Sequence, residues 1–259
     1  MFRSRRFKNS ENLDHFASPP YEQLAVIYDK IMDHVEYEKW ANYIKKIIQA
    51  HHELPVTVLD IGCGTGRFIA ELTKLKIPAE GCDPSAAMLK VAAQRLPDTQ
   101  FRIDSLPELK HIEPGRYPVM TCLYDSINYL NSLEEITRSL DRVYELLPDN
   151  GLFIFDAVSR IFCQHYFDGF NEQDVINKKI AYVRSSFYDF KNQQQINEFK
   201  IYTPEGIFEE KHVQTIFSFR DIKAIIREMT NFRLIGVFED FTFFDAEEDS
   251  NRAHFILQK

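Results

Sequence analysis

The chain has 259 residues, 44% of them hydrophobic, and a formal net charge of −8. It can bury the core of one large domain with an elaboration, and its acidic balance speaks against binding nucleic acid by neutralising phosphates, so a small-molecule partner is expected. No segment is long and apolar enough to span a bilayer, and Cys63, Cys82, Cys122 and Cys163 lack the spacing of a zinc site or disulfide framework, which predicts a reducing, cytoplasmic setting with no membrane and no metal.

Residues 1–20 read as a flexible basic arm around Arg3, Arg5, Arg6 and Lys8, without the apolar core of a signal peptide. Apolar residues at three- and four-residue spacing then predict two helices, Tyr21 to about Asp33 and Tyr37 to about His51, forming an amino-terminal cap over residues 21–53. Strand-like runs follow at Val56–Asp60, Ala79–Cys82, Thr99–Ile103, Val119–Leu123 and Leu152–Asp156. They alternate with helices at Ala86–Arg95 and Ser132–Leu147, the latter stopped by Pro148, Asn150 and Gly151. This rhythm implies an α/β fold with a doubly wound, Rossmann-like, mostly parallel sheet, whose ligands sit at the carboxyl ends of the strands.

From about Lys178 to Phe217 the pattern turns to alternating, aromatic-rich runs broken at Pro204, Glu205 and Gly206, the mark of antiparallel strands. A helix from about Ser218 to Thr230 and strands at Phe232–Glu239 and Ala253–Leu257 are expected to close the main sheet. The domain reading is therefore a core of residues 21–157 and 218–259 interrupted by a small antiparallel β insertion, 158–217, acting as an active-site lid.

The most informative stretch is VLDIGCGTGRF, Val58 to Phe68, an apolar strand, an acid at Asp60, three alternating glycines and a helix starting near Thr65. Gly62, Gly64 and Gly66 permit backbone angles and close approaches that a Cβ forbids, and the helix start offers unpaired N–H groups to a ligand. Asp83, about 20 residues downstream at the end of a second strand, can take both hydroxyls of a ribose. A dinucleotide enzyme would space its third glycine one residue later, where this chain has Arg67.

With these residues in place, Asp60 to Gly66 resembles the E/D-x-G-x-G-x-G signature of class I S-adenosylmethionine-dependent methyltransferases. The pattern Y-x-x-L-A-x-x-Y-D at Tyr21 to Asp29 and the segment YDSINYL, Tyr124 to Leu130, are similar to small-molecule members related to glycine N-methyltransferase and the aminosugar N-methyltransferases. The resemblance implies S-adenosyl-L-methionine as cofactor and a small-molecule methyl acceptor, an amine favoured over a hydroxyl or carboxylate, with homodimerisation left open. It implies that Asp60 orients the glycine loop, that Gly62, Cys63, Gly64, Gly66, Met88 and Leu123 contact the cofactor, that Asp104 and Ser105 hold its adenine, and that Tyr21 and Tyr28 close the pocket. Read alone, Asp104 and Ser105 are a surface turn, and the two tyrosines are packing residues.

The aminosugar enzymes often carry a histidine where this chain has Tyr129, which leaves a non-enzymatic cofactor-binding sensor or scaffold as the competing reading. Tyr129, Asn128 and Asp125 lie where acceptor meets cofactor. A tyrosine is a weak base at neutral pH, so His212 is the titratable candidate for proton removal, against the blander reading of a structural histidine. Glu198, Glu209 and Glu210 either meet an ammonium or form a solvated strand face.

Overall fold

The computed structural model describes residues 13–259; Arg3, Arg5, Arg6 and Lys8 lie outside them. The elements in chain order are β1 (His15–Ala17), α1 (Ala25–Ile31), α2 (Tyr37–Gln49), β2 (Val58–Ile61), α3 (Arg67–Lys74), β3 (Ala79–Asp83), α4 (Ala86–Arg95), β4 (Phe101–Ile103), β5 (Val119–Cys122), a 3-10 turn (Ser126–Tyr129), α5 (Leu133–Leu146) and β6 (Leu152–Val158). After these come α6 (Arg160–Tyr166), β7 (Phe170–Val175), β8 (Ala181–Asp189), β9 (Gln194–Thr203), β10 (Gly206–Thr215), α7 (Phe219–Met229), β11 (Arg233–Glu239) and β12 (Arg252–Gln258).

Local chemistry fixes the helix starts. The hydroxyls of Ser85, Ser132, Ser159 and Ser218 accept the N–H three residues on, from Met88, Glu135, Phe162 and Asp221, capping α4, α5, α6 and α7. The first helix begins later than its apolar spacing predicts, because Tyr21 sits at φ 63 and the chain enters the helix only at Ala25.

Seven strands form the main sheet in the order β11-β12-β6-β5-β2-β3-β4, with β2 to β6 parallel to their neighbours and β12 antiparallel to both β6 and β11. Strand alternation divides the core between the two faces. Leu59, Met120, Phe153, Phe155, Phe255 and Leu257 pack with α5 and α7, while Val58, Val119, Leu152, Ile154 and Ile256 pack with α1 and α2. Each such buried side chain contributes about 1.5–3 kcal/mol.

A second sheet, ordered β1-β10-β9-β8-β7, is antiparallel except that β1 pairs parallel with β10. Two of its strands go beyond the sequence reading, β7 and β1, the latter placing His15–Ala17 on the sheet edge rather than in a free arm; so does the helix α6 that precedes β7. Tyr182, Phe199 and Ile201 anchor the sheet to the apolar cluster beneath α1 and α2. It thus lies against the cap, over the carboxyl ends of the parallel strands.

Candidate active site

A cavity of about 360 Å³ opens between the main sheet, the cap and the second sheet, within the range of small-molecule sites. Its floor is built from the loops that follow the parallel strands. Asp60 lies in β2 and Gly62 to Thr65 follow it, Asp83 ends β3 and Pro84 follows, Ser105 and Leu106 follow β4, and Cys122 ends β5 with Leu123 to Ser126 after it. Tyr21, Tyr28, Tyr37 and Trp40 from the cap close one side, and Arg184, Gln195, Asn197, His212 and Gln214 descend from the second sheet.

Backbone bonds set the turn of the glycine loop. The N–H groups of Gly62 and Cys63 both donate to the Cys82 carbonyl, at 2.8 and 3.0 Å, and that of Gly66 to the Cys63 carbonyl at 3.0 Å. Gly62 has φ 74 and a Cβ there would lie 2.9 Å from Ser126 Oγ, whereas at Gly64, with φ 54, a Cβ would meet no protein atom within 4 Å. That open space faces the cavity and admits close approach of a ligand to the backbone. Asp60 does not orient this loop through its amides: its carboxylate accepts the Thr121 hydroxyl at 2.8 Å, and burial pushes it up to about 7.

Asp83 accepts the Gly64 N–H on Oδ2 at 2.9 Å and the Ser85 N–H on Oδ1 at 2.8 Å. Burial lifts it to about 6 against the downward pull of those two donors. Met88 and Leu123 line the cavity, and Cys63 lines it with its thiol pushed up by burial. Asp104 differs from the sequence reading. Its Oδ1 accepts the N–H groups of Ser105 and Lys110, and Oδ2 that of His111, so it shapes its own loop, while Ser105 reaches the cavity.

Asn128 is likewise corrected. It is fully buried, donates to the Thr215 carbonyl at 2.8 Å and accepts the Val158 N–H at 3.4 Å, bracing the 3-10 turn against β10 and β6 instead of facing the cavity. Asp125 does line the cavity, in a network that the sequence did not disclose. Its carboxylate accepts from Gln214 Nε2 at 2.6 Å and from Arg252 Nη2 at 2.9 Å, and its N–H donates to Asp156 at 2.9 Å. Arg252 also pairs with Asp156. These bonds hold Tyr124 and Asp125 at φ 58 and φ 53, a left-handed pair that costs roughly 1–2 kcal/mol per residue.

The antiparallel register aligns the inner face of the second sheet in three rungs. Glu210 lies opposite Phe199 and Arg184, His212 opposite Asn197 and Ser186, and Gln214 opposite Gln195 and Tyr188. Glu210 is 2% exposed, so the ammonium-binding and solvated-face readings both give way to a buried one. It accepts the N–H groups of Tyr21 (2.8 Å), Gln23 (2.6 Å) and Leu24 (3.0 Å), capping the start of α1. Glu209 and Glu198 are the outward-facing pair, bridged to Lys200 and Lys211.

The Glu210 carboxylate also lies 3.2 Å from His212 Nε2. As an acceptor it fixes the proton on Nε2 and leaves Nδ1 to accept from the Tyr129 hydroxyl, 3.3 Å away. Tyr129 in turn is 2.5 Å from the Tyr21 hydroxyl. Burial raises both phenols above their ordinary range, so both stay neutral donors. The chain Glu210–His212–Tyr129–Tyr21 therefore carries one imidazole acceptor to the cavity wall through two hydroxyls.

A family described as a methyltransferase domain matches residues 59–153, the segment carrying the glycine loop, Asp83 and β5. A protein of Geobacillus sp. (strain WCH70), provisionally named a methyltransferase, is 29% identical over 92% of this chain and 99% of its own length. The dTDP-4-amino-2,3,4,6-tetradeoxy-D-glucose N,N-dimethyltransferase of Saccharopolyspora spinosa is 24% identical over 90% of this chain and 86% of its own. In structure, an S-adenosylmethionine-dependent methyltransferase from Clostridium acetobutylicum superposes with a TM-score of 0.76 at 20% identity, covering 92% of this chain and 98% of that one. Residues 59–153 match a methyltransferase domain that holds the glycine turn, and the longer likenesses run on through the cap and the second sheet: together they support a class I S-adenosylmethionine-dependent methyltransferase.

Proposed function

We propose that this methyltransferase N-methylates a small-molecule amine in the cytoplasm, with an aminosugar-type acceptor such as several relatives' names give. The observation that carries the reading is the hydrogen-bonded chain from Glu210 through His212 and Tyr129 to Tyr21, since a protonated amine must lose a proton before its lone pair can attack. The dimethyltransferase acting on an amino-deoxysugar supports it.

The cavity fits the cofactor. Open space beside Gly64 and the buried Asp83 carboxylate, with one lone pair per oxygen still free, suit a ribose; Met88 and Ser105 suit adenine. Tyr21 and Tyr28 close over that region, their rings 5.8 Å apart. When bound there, S-adenosylmethionine supplies an electrophilic methyl group on a sulfonium. The residues of this chain then align the amine and exclude water. Tyr21 Oη takes a hydrogen bond from the acceptor, and the proton passes through Tyr129 to His212 Nδ1, where Glu210 stabilises the imidazolium. Asp125 and Leu123 border the place where the nucleophile enters.

The test is turnover with S-adenosylmethionine on a panel of primary and secondary amines, including aminosugars, beside matched alcohols and carboxylic acids. Formation of S-adenosylhomocysteine with the amines, lost in His212→Ala, is expected. Turnover confined to the alcohols or acids refutes the amine assignment.

A further inference from the structure

Two groups on the inner face of the second sheet take no part in proton removal. The Arg184 guanidinium lines the cavity and donates only to neutral partners: Nε to Ser186 Oγ at 3.1 Å and Asn197 Oδ1 at 3.2 Å, Nη2 to Asn197 Oδ1 at 2.8 Å. Phenyl rings of Phe167, Phe170 and Phe199 stand 5.3 to 5.6 Å from it. Among the described residues no carboxylate lies within 4.0 Å of it; its cross-strand neighbour Glu172 attracts it without closing to that distance. A half-buried guanidinium with no carboxylate in contact is better satisfied when a ligand supplies the counter-ion.

Gln195 is the second group. It is 1% exposed and lines the cavity, its Nε2 donates to the Ile196 carbonyl at 3.2 Å, and its buried Oε1 has no hydrogen-bond partner. An orphan buried acceptor of this kind calls for a donor on the ligand.

Electrostatics narrows the ligand further. The methyl donor carries a sulfonium into the same cavity, so Arg184 would face a second cation. Of the other two guanidiniums lining the cavity, Arg252 pairs with both Asp125 and Asp156, while Arg67 donates to the Asp29 and Met32 carbonyls and lies over the Tyr37 ring. With the cofactor's own carboxylate held elsewhere, a neutral acceptor would leave Arg184 unpaired, and a cationic one would add to the repulsion. We propose that the acceptor carries an oxyanion, a carboxylate or a phosphate, that seats on Arg184, while a hydroxyl or N–H of the acceptor donates to Gln195 Oε1. The planar fork of the guanidinium suits either oxyanion in bidentate fashion. This assignment rests on the methyl-transfer reading of the same cavity and adds the acceptor's charge. Arg184 sits on β8, whereas the nitrogen meets Tyr21 Oη on the amino-terminal segment, so the oxyanion and the nucleophilic nitrogen are different groups of the acceptor.

The test titrates the full chain, loaded with S-adenosylhomocysteine, with inorganic phosphate and separately with acetate by calorimetry. Saturable binding of at least one anion is expected, weakened tenfold or more in Arg184→Gln and partly kept in Arg184→Lys, with S-adenosylhomocysteine affinity unchanged in both. The stronger anion tells phosphate from carboxylate. Absence of saturable binding in the unsubstituted protein, or equal binding by Arg184→Gln, overturns the proposal. So does a loss of S-adenosylhomocysteine affinity in a folded Arg184→Gln, which would assign the guanidinium to the cofactor's own carboxylate. Where Arg184→Gln does not fold, anion protection of Arg184 against phenylglyoxal in the unsubstituted protein supports the proposal, and unprotected labelling refutes it. Failure of the unsubstituted chain to bind S-adenosylhomocysteine at all strikes the methyltransferase reading instead.

Discussion

Replacing Asp83 by asparagine tests the cofactor site at its most constrained point. Both neighbours of the carboxylate are donors, the N–H groups of Gly64 and Ser85 at 2.9 and 2.8 Å. An asparagine can accept from only one of them and must turn its own NH₂ toward the other. The variant therefore loses one backbone bond and one charge-assisted bond to a ribose hydroxyl. The backbone bond is lost in free and bound protein alike, so affinity falls by the ligand bond, about 1.5–3 kcal/mol to a charged acceptor, or roughly ten- to a hundredfold.

The pH dependence gives an independent sign. Burial holds Asp83 at about 6, and two hydroxyl donors favour its ionised form, so the bound state has the lower pKa. Affinity must then rise with pH up to about 6 and level off above it, with binding at pH 5 about tenfold weaker than at pH 7. Asp60, at about 7, titrates in the same window, and the slope that survives in Asp83→Asn belongs to it. The assay is calorimetric titration with S-adenosylhomocysteine between pH 5 and 8. A flat profile in the unsubstituted protein, or an Asp83→Asn variant that binds as tightly, would refute the reasoning.

Other substitutions probe the surrounding parts. His212→Ala should lower kcat by about two to four orders of magnitude with S-adenosylhomocysteine affinity intact; a parallel loss of both would mean that His212 only supports the fold. Glu210→Gln keeps an acceptor for the start of α1 but removes the charge beside His212, so a fall in kcat of about tenfold and a changed pH–rate profile should accompany unchanged cofactor affinity. Asp29 receives the Thr65 hydroxyl at 2.6 Å and pairs with Arg95; Asp29→Ala should free the cap from the glycine loop, speed hydrogen exchange over residues 21–33 and weaken S-adenosylhomocysteine binding about tenfold. Arg252→Met leaves the buried Asp156 carboxylate unpaired, a cost of about 3–5 kcal/mol in urea unfolding near neutral pH. Asp156 is already raised to about 6 by burial; with its partner gone its folded pKa rises further, so the destabilisation must shrink as pH falls and the group protonates. A loss independent of pH would contradict that account.

The main sheet was legible because parallel strands are apolar on both faces and their boundaries carry serines, glycines and prolines with a mechanical job. Ala86–Arg95 appears with the ends that its sequence predicts, set by the Ser85 cap. The glycine loop and Asp83 were legible for the same reason, since a ligand approaching backbone demands particular residues at particular spacing. Asn128 and Asp104 looked like site residues from position alone, yet a short polar side chain next to a turn is as useful for satisfying buried backbone groups. Both were taken up by that task, which only the folded geometry distinguishes.

The second sheet hid its chemistry for a different physical reason. A strand with one face on a core announces itself by apolar residues at every second position, but here the inner face looks into a polar cavity. Along β10, Glu210, His212 and Gln214 point inward, while Glu209 and Lys211 point to solvent, so hydropathy is low on both faces and alternation carries no sign. Strand alternation puts Glu210 beside His212, and the register across β8 and β9 supplies the sign, because that pairing lays Arg184, Asn197 and Gln195 on the same side. Residues far apart in sequence, on three strands and on the amino-terminal segment, thereby share one network. The same Glu210 oxygens that orient the imidazole also receive the N–H groups of Tyr21, Gln23 and Leu24. On the proposed relay, cap position and alignment of His212 are therefore coupled: a chain that opens residues 21–24 must also release the acid that holds His212.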